Sequence, residues 1–268
     1  MEENFVTYDR DGDVALIGLN RPEKHNALSR ALQAQLKAAA IRAGEEARVA
    51  VVYSHGENFC AGLDLREAST WMTNQIERFR HRMLRNGRPF EDIARAPIPF
   101  IAAINGACIG GGLELASSCH LRVADETAFF ALPEGQRGIY IGGGGSVRIA
   151  RLLGVGRMTD LMLTGRVLTC AEGERFGIVQ YAVPKGNHFE RAKSLAKRVA
   201  ENAPMTNWAI IAGLPRIQDF GHEDGLFVEG LLSGVVSTPE SGERLKAFLE
   251  KRAKPLAKPG TSGDGQTA

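Results

Sequence analysis

An α/β fold with an all-helical final third is predicted for this chain, and three patterns carry the prediction. The short continuous apolar runs "VAVVYSHG" (49–56) and "IPFIAAIN" (98–105) have the composition of buried strands. A stretch of helical apolar period precedes the first of them and itself follows a strand-like segment, so strand, helix and strand succeed one another as in a parallel layer. After Val155 the spacing turns helical and stays so.

Taken in order, "VTYDRDGDVALIGLN" reads as two strands around an Asp11-Gly12 turn. Asn26 or Ser29 can cap the next segment, where Leu28, Leu32, Leu36 and Ala39 fall at helical spacing. Residues 66–96 read as polar-faced helix broken near Asn86-Gly87. Trp71, Met72, Ile76, Phe79, Met83 and Phe90 form a stripe there of the kind that packs a core, and Arg78, Arg80, Arg82, Arg85 and Arg88 read as a solvated face. The strand "IPFIAAIN", a glycine-opened helix and the strand-like "HLRVADETAFFALPE" follow. The helical segments after Val155 run to "PESGERLKAFLEKR", and the Pro/Gly/Ser-rich tail from Lys254 reads as disordered. The expected division is a core over 1–200, a helical region over 201–253 and a tail over 254–268.

The 268 residues are 44% hydrophobic, which suffices for one large domain or a domain with an appendage. A net charge of +2 argues against a nucleic-acid or anionic-membrane partner. No apolar run approaches the length of a membrane span, and the opening "MEENFVTYDRDGD" is too acidic for a signal peptide. Cys60, Cys108, Cys119 and Cys170 show no CxxC and no framework density, so they read as small buried residues in a reducing compartment, the cytoplasm. No Cys/His cluster has metal spacing, and no metal is expected.

The informative stretch is "INGACIGGGLELASSC" (104–119), where Gly110, Gly111 and Gly112 stand at a helix start. Such a start presents unpaired N–H groups and the positive end of the helix dipole, and glycine lets a ligand approach bare backbone. No G-K-[ST] follows and no G-x-G-x-x-G occurs, so neither a P-loop nor a dinucleotide fingerprint is present. Either the glycines only let helix and strand pack closely, or they hold a developing negative charge. Glu114 lies among Leu113, Leu115 and Ala116, and Glu134 follows an apolar strand and Pro133 before another glycine cluster. Carboxylates in apolar settings beside glycine-rich backbone suggest acid–base chemistry near an oxyanion site, although linear spacing alone does not pair them.

"LNRPEKHNALS" (19–29), "NFCAGLDLREAS" (58–69), "INGACIGGGLELASSCHLRVA" (104–124) and "FALPEGQRGIYIGGGGSVRIARLLG" (130–154) together resemble the crotonase, or enoyl-CoA hydratase/isomerase, superfamily. The resemblance covers roughly residues 5 to 253 and includes the family's twenty-residue interval between Glu114 and Glu134. It implies a four-turn ββα spiral core, trimers formed through the helical region and often paired into hexamers, and an acyl-CoA thioester substrate with no other cofactor. It implies an oxyanion hole of the Leu63 and Gly111 N–H groups. Glu114 would then activate water for attack on Cβ, and Glu134 would deliver a proton to Cα. For the CoA end it implies His25, Ala27, Ala61, Leu63, Asp64, Leu65, Arg66 and Gly111. "FLEK" adds Phe248 and Lys251, expected on one face of the last helix and donated to a neighbouring subunit.

Because both acids are present, the resemblance points to an enoyl-CoA hydratase, with isomerase, dehydratase or hydratase/lyase as alternatives. RNA-binding members rely on a lysine-rich first long helix. This one offers only Arg30, Lys37 and Arg42 among alanines, which disfavours that role. His120 stands where the family often has Asp and reads as structural. Cys60, beside the first oxyanion loop, matches no nucleophile pattern of the family.

Overall fold

The computed structural model describes residues 3–71 and 90–253. The chain divides into two compact units, Met1–Val199 and Ala200–Ala268. In the first, strands β1 (Val6–Asp11), β2 (Val14–Leu19), β3 (Val49–Ser54), β4 (Phe100–Ile104), β6 (Leu121–Asp125) and β9 (Tyr181–Val183) form one sheet in the order β1-β2-β3-β4-β6-β9. Only the β1–β2 hairpin is antiparallel. Strands β5 (Ala107–Ile109), β7 (Phe129–Ala131) and β8 (Val167–Thr169) form a second, three-stranded sheet.

Four successive turns repeat one plan. Each leaves a strand of the large sheet, touches the second layer, and enters a helix. From β2 the chain passes Leu28, bridged to Leu63, into α1 (Arg30–Glu46). From β3 it passes Cys60, bridged to Cys108, into α2 (Leu65–Trp71). From β4 it passes β5 into α4 (Gly111–Ser118), after the short α3 (Glu91–Ala94) that precedes β4. From β6 it passes β7 into α5 (Gly145–Leu153) and α6 (Val155–Thr164). This is the expected ββα spiral. Its core is apolar, mixing aliphatic and aromatic side chains, with Ile17, Leu19, Leu32, Phe59, Phe100, Ile104, Leu113 and Phe130 fully buried.

Several local expectations shift. The hairpin loop is Gly12-Asp13 rather than Asp11-Gly12, because Asp11 still pairs with Val14 and Gly12 takes the positive φ of +61°. Ser29, not Asn26, caps α1 by accepting from Leu32 N. Leu28 lies outside the helix, in the second layer. The last third is not wholly helical, since β9 completes the large sheet's edge and β8 the small one's. Three-residue strands are too short to show a period of two.

After α7 (Cys170–Phe176) and α8 (His188–Ala200), the second unit comprises α9 (Pro204–Ile217), α10 (His222–Val235) and α11 (Pro239–Leu249). Within it α9 and α10 pack closely at Gly213, where a Cβ would overlap Leu232. Leu214, Phe227, Leu231, Leu245 and Phe248 are exposed. The arginine stripe and Met72, Ile76, Phe79 and Met83 lie outside the described residues. Among the described residues no helix is long and apolar enough to cross a membrane.

Candidate active site

Three loops meet edge to edge. Ala61 N donates to His25 O at 2.9 Å, Leu28 N to Gly62 O at 2.8 Å and Asp64 N to Leu28 O at 3.2 Å. On the other side Cys60 N donates to Ala107 O at 2.8 Å and Ile109 N to Cys60 O at 3.0 Å. The amides of Leu63 and Gly111 emerge together at the end of this seam. A Cβ built on Gly111 would stand 3.5 Å from Leu63 N, and one built on Gly62 would stand 3.5 Å from Gly111 N. Neither amide donates to a backbone carbonyl among the described residues. Gly111 is also the first residue of α4, so its N–H carries the positive end of the helix dipole. The glycines have separate tasks. Gly110 adopts φ +53°, while a Cβ on Gly112 would overlap the Cys60 carbonyl.

The two glutamates converge on this place. Both are only 6% exposed. Glu134 borders the glycine turn, for a Cβ on Gly110 would come within 2.7 Å of its Oε1, and its Oε2 is buried with no hydrogen-bond partner among the described residues. Glu114 Oε1 accepts from Gly143 N at 2.7 Å and Gly145 N at 3.0 Å. Burial pushes the Glu114 carboxyl above the usual carboxylate range, against those backbone hydrogen bonds and the Arg148 charge. Burial also raises Glu134, and the nearby charge of Glu114 raises it further. A pair that resists double ionisation can share the duties of acid and base.

The expected CoA-loop residues lie along the first seam with mixed engagements. His25 (φ +49°) closes a 3₁₀ turn, and its Nδ1 lies 3.1 Å from Asn58 Nδ2. Ala27 O accepts from Arg21 Nη1 at 3.2 Å. Asp64 is tied to Arg21 at 2.7 Å and accepts from Glu67 N at the start of α2, and the Arg21 guanidinium holds its carboxyl below the usual range. Leu65 and Arg66 are exposed. Phe248 is exposed on α11, but Lys251 does not share its helical face. The helix ends at Leu249, and Lys251 takes φ +57° as Arg252 N reaches back to Ala247 O and Lys251 N to Phe248 O. That pairing is a Schellman closure with lysine where glycine is usual.

Three positioning groups emerge only from the structure, Asn26 having been read from the sequence merely as a possible helix cap. Asn26 is fully buried at φ +54°; its amide donates to His55 O and Asn58 O and its Oδ1 accepts from Arg21 N. It thereby ties the first loop to the second. Arg122 is buried on β6 and donates to Ile178 O at 2.5 Å and Cys119 O at 2.6 Å, closing the carboxyl end of the glycine helix. A charged residue inside an apolar strand was its only sequence signal. Arg148, on α5, is the third, its Nη1 2.8 Å from Glu91 Oε1. His120 is structural: its Nδ1 accepts from Phe100 N at 2.9 Å, and burial lowers its pKa to about 4. Cys60 is fully buried with its thiol pushed up to about 12, which leaves it no thiolate for nucleophilic attack.

The family model described as enoyl-CoA hydratase/isomerase matches residues 9–258. The chain is 35% identical over 247 residues to enoyl-CoA hydratase domain-containing protein 2, mitochondrial, of Bos taurus, covering 89% of this chain and 82% of that one. It is 33% identical over 252 residues to the (E)-benzylidenesuccinyl-CoA hydratase of Thauera aromatica, covering 92% and 97%. A solved structure from Rhodopseudomonas palustris superposes with a TM-score of 0.87 at 44% identity, covering 93% and 96%. The enoyl-CoA hydratase of Bacillus anthracis superposes with a TM-score of 0.83 at 34% identity, covering 94% and 98%.

Proposed function

Since this chain belongs to the enoyl-CoA hydratase/isomerase family, we propose that it adds water across the 2,3 double bond of a 2-enoyl-CoA. The observation that carries the reading is the convergence of two buried carboxylates on two adjacent, unengaged amides. The thioester oxygen accepts from Leu63 N–H and Gly111 N–H. Water held between Glu114 and Glu134 attacks Cβ as Glu114 takes its proton. The π electrons move to the thioester oxygen as an enolate, which the two amides stabilise. Glu134, favoured in its protonated form by burial, then delivers a proton to Cα.

A screen over crotonyl-, longer, aromatic and sulfur-bearing 2-enoyl-CoAs tests this, read by loss of the conjugated thioester absorbance. Turnover of at least one is expected. Conversion of 3-enoyl-CoA without hydration of any 2-enoyl-CoA would replace the reading with isomerisation.

The exposed apolar residues of α9–α11 fit a subunit contact, and a trimer or hexamer is the assembly we propose. The four free, buried cysteines are consistent with a reducing compartment such as the cytoplasm. Lys251 would serve the CoA end, away from the reacting carbons. Lys251→Ala is then expected to raise KM for the CoA ester with kcat little changed. Lys251→Gly should raise KM alike while gaining about 1 kcal/mol at the helix end, because glycine removes the left-handed strain. Unchanged KM in both variants, in steady-state assays, would remove Lys251 from the site.

A further inference from the structure

The loop that holds Glu114 is itself held by two groups that the reaction scheme does not use. Gly143 and Gly145 supply the amides to Glu114, and Gly144 between them takes φ +93°, so this turn has no side chains with which to anchor itself. The Arg148 guanidinium lies directly against it. A Cβ on Gly144 would come within 2.5–2.7 Å of Nη1, Nη2 and Cζ, and Nη2 donates to the Gly143 carbonyl. Its other arm, Nη1, bonds Glu91 Oε1 at 2.8 Å, and both side chains are largely buried. The remaining oxygen of Glu91 bonds Arg95 Nε at 2.7 Å. Phe90, immediately before Glu91, is buried at φ +71°, a costly conformation for an aromatic residue. Its ring packs 3.1 Å from where a Gly143 Cβ would stand. Residues 90 and 91 therefore grip the Glu114 loop from two directions, one by packing and one through Arg148.

We propose that Arg148, anchored by Glu91, is a positioning residue for Glu114: by clasping the Gly143 carbonyl it sets the glycine loop whose amides orient the carboxylate. The proposal rests on Glu114 being the group that activates water. The charged and titratable groups around Glu114 are Arg148 on α5, Glu134 after β7 and, through Arg148, Glu91 on α3. Removing the guanidinium leaves Glu114 with Glu134 as its nearest charge and loosens its two amide donors. Both changes favour the protonated carboxyl.

The test uses Arg148→Met, Glu91→Gln and the double variant of the full chain, with two readouts. The first is the Glu114 carboxyl titration by ¹³C NMR, assigned by the signal lost in Glu114→Gln. Its midpoint is expected to rise by about half a pH unit or more in Arg148→Met. The second is steady-state kinetics on the preferred enoyl-CoA. Here kcat should fall about 10- to 100-fold with KM within about twofold, and the acid limb of the kcat profile should move to higher pH. Glu91→Gln should change both readouts in the same direction by less, and the double variant should be no worse than Arg148→Met, since one acts through the other. If Arg148→Met does not fold, Arg148→Lys, which keeps the charge but loses the two-armed clasp, is read by the kcat loss and Glu91→Gln by both criteria. A folded Arg148→Met with the Glu114 midpoint, the acid limb and kcat all unchanged overturns the proposal. Full turnover in Glu114→Gln would instead refute the acid–base reading, and the NMR midpoint would still decide whether Arg148 sets the Glu114 environment.

Discussion

Glu114→Gln and Glu134→Gln are each expected to slow hydration by at least ~10²-fold, and the double variant to lose much less than the product of the two. The reason is that both side chains address one water and one developing charge: after either is neutralised, the survivor has no partner for proton transfer. Each substitution is nearly isosteric, so binding of the CoA ester should change little. Glu134→Gln has a second expected signature, in stability. The folded-state carboxyl of Glu134 is raised above its usual value of 4.5, so the native protein binds its proton more tightly than the unfolded chain does. The ionised side chain therefore costs stability, a cost that is absent at low pH and grows as pH rises above 4.5. Glu134→Gln should accordingly melt above the parent protein at pH 7 to 8, with the difference shrinking toward pH 4. Thermal melts across that range read the sign directly. A wild-type rate in either single variant would remove that glutamate from the chemistry.

Gly111→Val is expected to lower turnover by about 10²–10³-fold or more, the scale of losing an oxyanion donor. The added Cβ would stand 3.5 Å from Leu63 N, in the space the thioester oxygen would occupy between the two amides. The atom nearest the added Cβ is Leu28 Cδ1 at 2.9 Å, the far end of a flexible side chain, and circular dichroism checks that the variant folds. Free CoA carries no acyl carbonyl, and its affinity, measured by calorimetry, should survive while turnover collapses. A folded Gly111→Val protein with ordinary rates would mean that Gly111 serves packing alone.

Much of this site was legible in the chain itself. The apolar neighbours of Glu114 announced its burial, because a short helix that is apolar on both sides of the acid, at Leu113 and Leu115, packs inside the fold on all its faces. The glycine run announced a helix start open to a ligand, and the apolar runs at β3 and β4 announced buried parallel strands, since those signals are local in sequence. What only the tertiary structure decided is what depends on distant contacts. Residues 25–28, 60–64 and 107–111 are brought side by side by bridges between separate turns of the spiral, and no spacing rule encodes that pairing. The hold on Glu114 comes from Gly143 and Gly145, 29 and 31 residues away, and the Glu91–Arg148 pair joins positions 57 apart. Lys251 shows the same limit at short range. Its spacing from Phe248 fits a helix, yet the backbone leaves the helix two residues earlier because carbonyls at the helix end are satisfied by a left-handed turn. Sequence period reports which residues are buried; which of them meet is set by how the sheets and helices close on one another.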